Sequence, residues 1–194
     1  MRFSMSPADE RERWNAKYAA GEKDERSADP LLRQAVAGMA PGLALDLAGG
    51  TGRHALWLAE RGWQVTLSDI SDNAMALARQ RLAQQTGRLD GSVECRRETA
   101  SGTIAWALTE KRCFHLIAVF WFLDRALFPA LPRLLAPGGI LVCKTFTAEH
   151  ERFRGREIPE YALQPGELRT AFPLLDEHVY REVGGVAELV AQAR

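Results

Sequence analysis

From residue 43 onward, short apolar runs alternate with stretches whose apolar residues recur at helical spacing. Leu43 to Leu47 is an apolar run broken only by Asp46, which suits a buried parallel strand. Gly49-Gly50-Thr51-Gly52 follows, and then a helical stretch through His54, Leu58 and Glu60, closed by Gly62. Gln64 to Leu67 predicts a second strand ending at Ser68-Asp69. Ser71 caps a helix carrying Met75, Ala78 and Leu82, stopped by Thr86-Gly87. Ser92 to Arg96 predicts a weaker third strand, and residues 99–112 show no clear period. Phe114 to Phe122, nearly all apolar, predicts a central strand. A helical segment from Asp124 to Leu135 leads to the Pro137-Gly138-Gly139 turn and a strand over Ile140 to Lys144. Residues 145–166 are polar and predict a long loop or lid, before a short helix over Glu167 to Phe172. His178 to Val183 and Val186 to Ala193, joined by Gly184-Gly185, predict a closing hairpin.

This order implies one fold class: an α/β, doubly wound, mostly parallel seven-stranded sheet with helices on both faces and a C-terminal antiparallel hairpin. The first 30 residues are polar and helix-tolerant, with Trp14 and Tyr18 one helical turn apart; Gly21 to Pro30 predicts a charged loop, and Leu31 to Met39 a short helix. Residues 1–40 are expected to form a helical lid or cap, and residues 41–194 a ligand-binding domain.

Composition changes this picture little. Hydrophobic residues make up 46% and charged residues 26%, as in ordinary globular proteins. Twenty-five basic side chains balance 25 acidic ones, which disfavours nucleic acid as a partner. Cys95, Cys113 and Cys143 show no metal-ligand spacing and are expected as reduced, buried hydrophobes, with no metal site. The charged N-terminus does not resemble a signal peptide, and no stretch approaches the roughly 20 apolar residues of a membrane span. The expectation is a cytoplasmic protein of unknown oligomeric state.

The chemistry concentrates after the first strand. In open parallel sheets, ligands bind beyond the carboxyl ends of the strands, where Ala48 to Gly52 falls. Glycine allows close backbone approach and positive φ, and the following helix aims free N–H groups into the turn. Gly50, Gly52 and Ala55 fit a variant of the dinucleotide fingerprint, so a nicotinamide cofactor is one reading. Asp69, twenty positions after Gly49, is placed to accept the hydroxyls of an adenosine ribose, which two cofactor classes share. Asp46, a charge within an apolar strand, is expected to fix the loop or to face a cationic ligand group.

Leu45-Asp46-Leu47-Ala48-Gly49-Gly50-Thr51-Gly52-Arg53-His54-Ala55 resembles the first motif of class I S-adenosylmethionine-dependent methyltransferases. Asp69-Ile70-Ser71 resembles their second motif, and Leu134 to Leu141 the approach to their fifth strand. Trp14 to Gly21, Asp29-Pro30-Leu31 and Leu163 to Leu168 are similar to segments of tellurite-resistance-type and thiopurine-type bacterial members. The resemblance implies a Rossmann-like methyltransferase fold and S-adenosylmethionine as cofactor, held by Asp46, Ala48, Gly49, Gly50, Gly52, Arg53, His54, Asp69, Ile70, Ser71, Phe120 and Trp121. It also implies an acid after the third strand, a position for which Glu98 is the nearest candidate.

The acceptor side is less specified. Trp14, Tyr18, Asp124, Arg125, Lys144 and His150 are candidate substrate contacts, each with an ordinary capping or packing role as the alternative. Arg152, Arg154 and Arg156 form a basic run among glutamates. The function expected is methyl transfer to a small-molecule acceptor such as a thiol or chalcogen oxyanion. A non-catalytic S-adenosylmethionine-binding protein and a nicotinamide-dependent oxidoreductase are the alternatives, and an RNA methyltransferase is disfavoured by the neutral charge.

Overall fold

A computed structural model describes residues 6–21, 27–85 and 87–194. Part of the expected Gly21 to Pro30 loop, and Thr86 at the expected helix stop, lie outside these residues. The sheet has seven strands in the order Ser92–Arg97, Gln64–Asp69, Leu43–Leu47, Phe114–Phe120, Leu135–Phe146, Val186–Ala193 and Leu175–Val183. Two compact units divide the chain: one holds the chain up to Asp29 together with Ala40–Thr103, the other Pro30–Met39 and Ile104–Arg194.

In the first unit, β1 (Leu43–Leu47), β2 (Gln64–Asp69) and β3 (Ser92–Arg97) run parallel, with Leu43 opposite Gln64 and Gln64 opposite Ser92. The apolar face of β1 and β2 is nearly inaccessible, with Leu45 and Leu47 fully buried. Helices α3 (Arg53–Ala59) and α4 (Asp72–Gln84) pack on β2 and β3. Helix α1 (Pro7–Ala19) begins with a capping box. Ser6 Oγ accepts from the Asp9 N–H while the Ser6 N–H donates to Asp9 Oδ2. None of its residues is fully buried; Trp14, Asn15 and Tyr18 are half-buried, and polar contacts fasten the helix at the surface.

The second unit holds α2 (Pro30–Ala35) and four strands: β4 (Phe114–Phe120), β5 (Leu135–Phe146), β6 (Leu175–Val183) and β7 (Val186–Ala193). β4 pairs parallel with β5, and β7 antiparallel with both β5 and β6. The hairpin turns at Gly184 and Gly185, both at positive φ.

Several elements depart from expectation. The segment after Asp124 is two 3₁₀ turns, Arg125–Leu127 and Leu131–Leu134, not one helix. Pro129 and Pro132 lack the N–H groups an α-helix there would require. β5 starts at Leu135 and absorbs the Pro137-Gly138-Gly139 turn, with a register shift between Phe114 and Leu116 in its partner. The unreadable stretch contains a helix, α5 (Ala100–Thr109). Among the described residues, no helix is long and apolar enough to cross a membrane.

Candidate cofactor site

The loop between β1 and α3 is built by four small residues with different tasks. Ala48, Gly50 and Gly52 have φ of 54°, 58° and 77°. Gly49 does not; its requirement is space. A Cβ there would stand 2.5 Å from Asp46 Cγ and Oδ2 and 2.6 Å from Leu67 Cδ1. Gly49 N–H donates to Ser68 O (3.0 Å), Gly52 N–H to Gly49 O (3.1 Å) and Leu56 N–H to Gly52 O (2.8 Å), so the turn runs directly into α3. Asp46 lies beneath it, 1% exposed. Its Oδ2 accepts the Ala55 N–H (3.2 Å) in the first turn of α3, and its Oδ1 lies 3.7 Å from His54 Nδ1. That Oδ1 has no hydrogen-bond partner among the described residues.

Asp69 ends β2, 8% exposed. Its Oδ2 accepts the Gly50 N–H and its Oδ1 the Ser71 N–H, both at 2.9 Å. Burial raises its carboxyl from the usual range to about 6, against the lowering effect of those two N–H groups. Each oxygen keeps lone-pair capacity for one further donor. A ribose diol offers two such hydroxyls, and the glycine loop gives the backbone clearance an adenosine cofactor needs. The residues fit the group implied by the motifs.

Above the loop stands α1. Asn15 Oδ1 accepts the Ser71 hydroxyl (2.7 Å) and the Asn73 N–H (3.2 Å), and the Asn15 carbonyl accepts from Asn73 Nδ2 (2.9 Å). Asp72 receives Arg11 Nε at 2.5 Å and Asn15 Nδ2 at 3.1 Å. These bonds fasten α1 to the start of α4 and set the Tyr18 hydroxyl against Gly50, where a Cβ would collide with it. Burial, then the charges of Asp69 and Asp46, push the Tyr18 phenol well above its ordinary value, so it stays a neutral donor. Trp14 packs on Tyr18 with ring centroids 6.0 Å apart. Nothing in the sequence marked Arg11, Asn15 or Asp72, because their role depends on pairs more than 50 positions apart.

Glu98 follows β3 directly, its N–H donating to Asp69 O (3.1 Å). Its Oε1 accepts from the Thr99 N–H (2.9 Å) and hydroxyl (3.3 Å). Gly102 leaves room for it over the first turn of α5.

The remaining candidates lie in the second unit. Phe120 is buried at the end of β4. Trp121 sits at φ 59°, a strained value for a non-glycine residue, fixed by its N–H donating to Lys144 O (2.7 Å). Its ring lies 4.7 Å from Phe146 and 5.5 Å from Lys144 Nζ. Lys144 Nζ pairs with Glu188 Oε1 at 2.8 Å, and Arg181 holds the other oxygen. Asp124 caps the first 3₁₀ turn through the Ala126 N–H (3.0 Å). Arg125 grips Glu167 at 2.5 and 2.8 Å and donates to the carbonyls of Glu160 and Ala162. His150 Nδ1 accepts the Arg152 N–H (3.2 Å), and its ring meets Phe146 edge-on at 4.7 Å.

A parallel sheet closed by an antiparallel hairpin, with a glycine loop after its first strand and a buried acid ending its second, is the Rossmann-like architecture that the resemblance to class I S-adenosylmethionine-dependent methyltransferases implied. Residues 44–139, just under half of the chain, match the family model of the methyltransferase domain. The ribosomal RNA small subunit methyltransferase C of Alcanivorax borkumensis is 31% identical over 129 residues, 64% of this chain and 38% of that protein. TehB from Haemophilus influenzae superposes with TM-score 0.71 at 15% identity, over 92% of this chain and 66% of TehB. Magnesium protoporphyrin IX methyltransferase from Synechocystis PCC 6803, solved with bound S-adenosylmethionine, gives 0.69 at 14% identity over 100% of both chains. This chain thus spans well under half the length of the ribosomal RNA methyltransferase and about two thirds of TehB.

Proposed function

We propose that this protein transfers the methyl group of S-adenosylmethionine to a small-molecule acceptor. The observation that carries the proposal is Asp69: buried, ionisable, holding one N–H per oxygen at the edge of the glycine loop. The cofactor supplies a sulfonium methyl that a nucleophile displaces in line. On this reading Asp69 holds the ribose, and Gly49, Gly50 and Gly52 let the loop backbone approach the ligand. The Asp46 carboxylate, with one oxygen lacking a hydrogen-bond partner among the described residues, stands beneath the loop, where it suits a cationic methionyl group. Tyr18 is a neutral donor at the loop, and α1 is its cap. Trp121, pinned by Lys144 and Phe146, is on this reading an apolar wall against the adenine or the acceptor. No side chain is assigned as general base, since an ionised acceptor needs none and the main task is positioning with water excluded.

Calorimetry with S-adenosylmethionine and its demethylated product, followed by transfer of labelled methyl to a panel of thiols, chalcogen oxyanions and small acids, tests the proposal. Binding without transfer to any of these or to RNA would leave only a cofactor-binding protein. A second reading, RNA as acceptor, is favoured by the ribosomal RNA methyltransferase likeness alone. Label appearing in total RNA and in none of the small molecules would establish it.

A further inference from the structure

The segment after β5 has a feature that cofactor binding does not use. Its two feet are tied down. Thr147 N–H donates to Gly185 O, Ala148 N–H to Leu163 O and Leu163 N–H to Phe146 O, at 2.7–2.9 Å. Arg125 clamps the returning limb through Glu160 O, Ala162 O and Glu167. Between the feet, the chain forms a groove of about 560 Å³ whose lining includes Arg152, Arg154, Arg156, Phe153 and Tyr161. That volume lies within the range of small-molecule sites.

Three guanidiniums face two carboxylates here, those of Glu151 and Glu157, so the lining is net positive. Arg152 is spoken for, its guanidinium stacked on Phe146 at 4.4 Å and Phe153 at 5.8 Å. Arg154 and Arg156 form no ion pair among the described residues. Two unpaired planar forks at a concave surface match a carboxylate or phosphate in bidentate geometry. Beside them Tyr161 is 45% exposed, although its ring already meets Phe153 at 6.1 Å. An exposed aromatic face next to unpaired arginines suits a flat organic body bearing the anion. The groove lies beyond the carboxyl end of β5, the side on which open α/β sheets take ligands. The rings of Trp121, Phe146, Phe153 and Tyr161 run without a break from the end of β4 to the groove.

We infer that this groove binds a planar organic anion, a carboxylate or a phosphate ester, through Arg154, Arg156 and Tyr161. Calling that molecule the methyl acceptor rests on the methyltransferase reading; the binding itself does not. A concave site in a chain of zero net charge argues for a small anion over a nucleic-acid backbone.

The test is calorimetry on the full chain with benzoate, phenyl phosphate, inorganic phosphate and a short single-stranded RNA. At least one aromatic anion is expected to bind at about 1 mM or tighter, and the R154E/R156E double variant to weaken it about tenfold or more. Tyr161→Ala is expected to weaken the aromatic probes and leave inorganic phosphate unchanged. S-adenosylmethionine affinity stays the same in all variants, which also shows that they fold. The inference is overturned if neither aromatic anion binds, if the charge reversal leaves binding intact, or if RNA binds more tightly than both through the same arginines. Failure of S-adenosylmethionine to bind would instead strike the methyltransferase reading and leave the groove to be judged by the anions alone.

Discussion

Asp69 supplies a pH dependence that follows from its burial. Its carboxyl is raised to about 6 from an ordinary value of 3.8. Keeping it ionised in the free protein at pH 7 therefore costs about 3 kcal/mol, because each pH unit between folded and unfolded values is worth about 1.4 kcal/mol. The sign is that of a raised acid: this group's contribution to stability is fully present below 3.8 and is lost as pH rises through 6. Ribose hydroxyls donate to the ionised form and favour it, so cofactor binding should expel the proton. The apparent Kd for S-adenosylmethionine should then be flat above pH 7 and rise about tenfold for each unit below 6. Calorimetry at pH 5 to 7.5, in buffers of different ionisation enthalpy, reads both the Kd and the proton released. Asp69→Asn is the control. Asn keeps one oxygen, so either the Gly50 or the Ser71 N–H must face an amide NH₂. Affinity should fall by about 1–3 kcal/mol and the slope below pH 6 should vanish. A Kd independent of pH in the wild type, or the same slope in Asp69→Asn, would refute the assignment.

Other expectations follow from local geometry. Gly49→Ala should cost about 2–4 kcal/mol in thermal or urea unfolding, since its Cβ would meet both Asp46 and Leu67, and neither can yield within a packed loop. Ala48→Gly should do the opposite and add about 0.5–1 kcal/mol, because φ of 54° strains a residue with a Cβ. Burial raises the Glu188 carboxyl, but Lys144 and Arg181 outweigh it and hold the group below its ordinary value. Glu188→Ala would remove the carboxylate that Lys144 and Arg181 share, and urea unfolding should record a loss of about 1–3 kcal/mol. Arg125→Ala should expose residues 147–166 to limited proteolysis while leaving cofactor affinity unchanged, because it removes the clamp on the returning limb.

Much of the fold was legible because buried parallel strands leave plain marks. Leu43 to Leu47 and Val186 to Ala193 coincide with β1 and β7, and the Gly184-Gly185 link is the hairpin turn. The misread segments share a cause: local signals there are settled by tertiary partners. α5 contains Gly102 and Thr103, poor helix formers, yet Glu98 lies over Gly102 and Thr99 Oγ1 accepts its N–H. The stretch after Asp124 had helical spacing, but its prolines reduced it to 3₁₀ turns.

The same distinction runs through the site. Asp46, the glycines and Asp69 were readable since each answers a local demand: a turn, a close approach, a strand end. Gly49 shows the limit of that logic. Glycine loops invite an explanation by positive φ, and that holds for Gly50 and Gly52, but Ala48 shares the positive φ without being glycine, and Gly49 is required instead by the Asp46 carboxylate beside it. Asp46 and Gly49 are thus one device. The buried acid ties the loop to α3 through Ala55, and the missing side chain lets it lie there. Enlarging Asp46 to Glu should therefore damage the loop as severely as Gly49→Ala. The extra methylene has only the space that Gly49 leaves, and the Ala55 N–H would lose its acceptor. An Asp46→Glu protein with wild-type cofactor affinity would show that the loop does not depend on this contact.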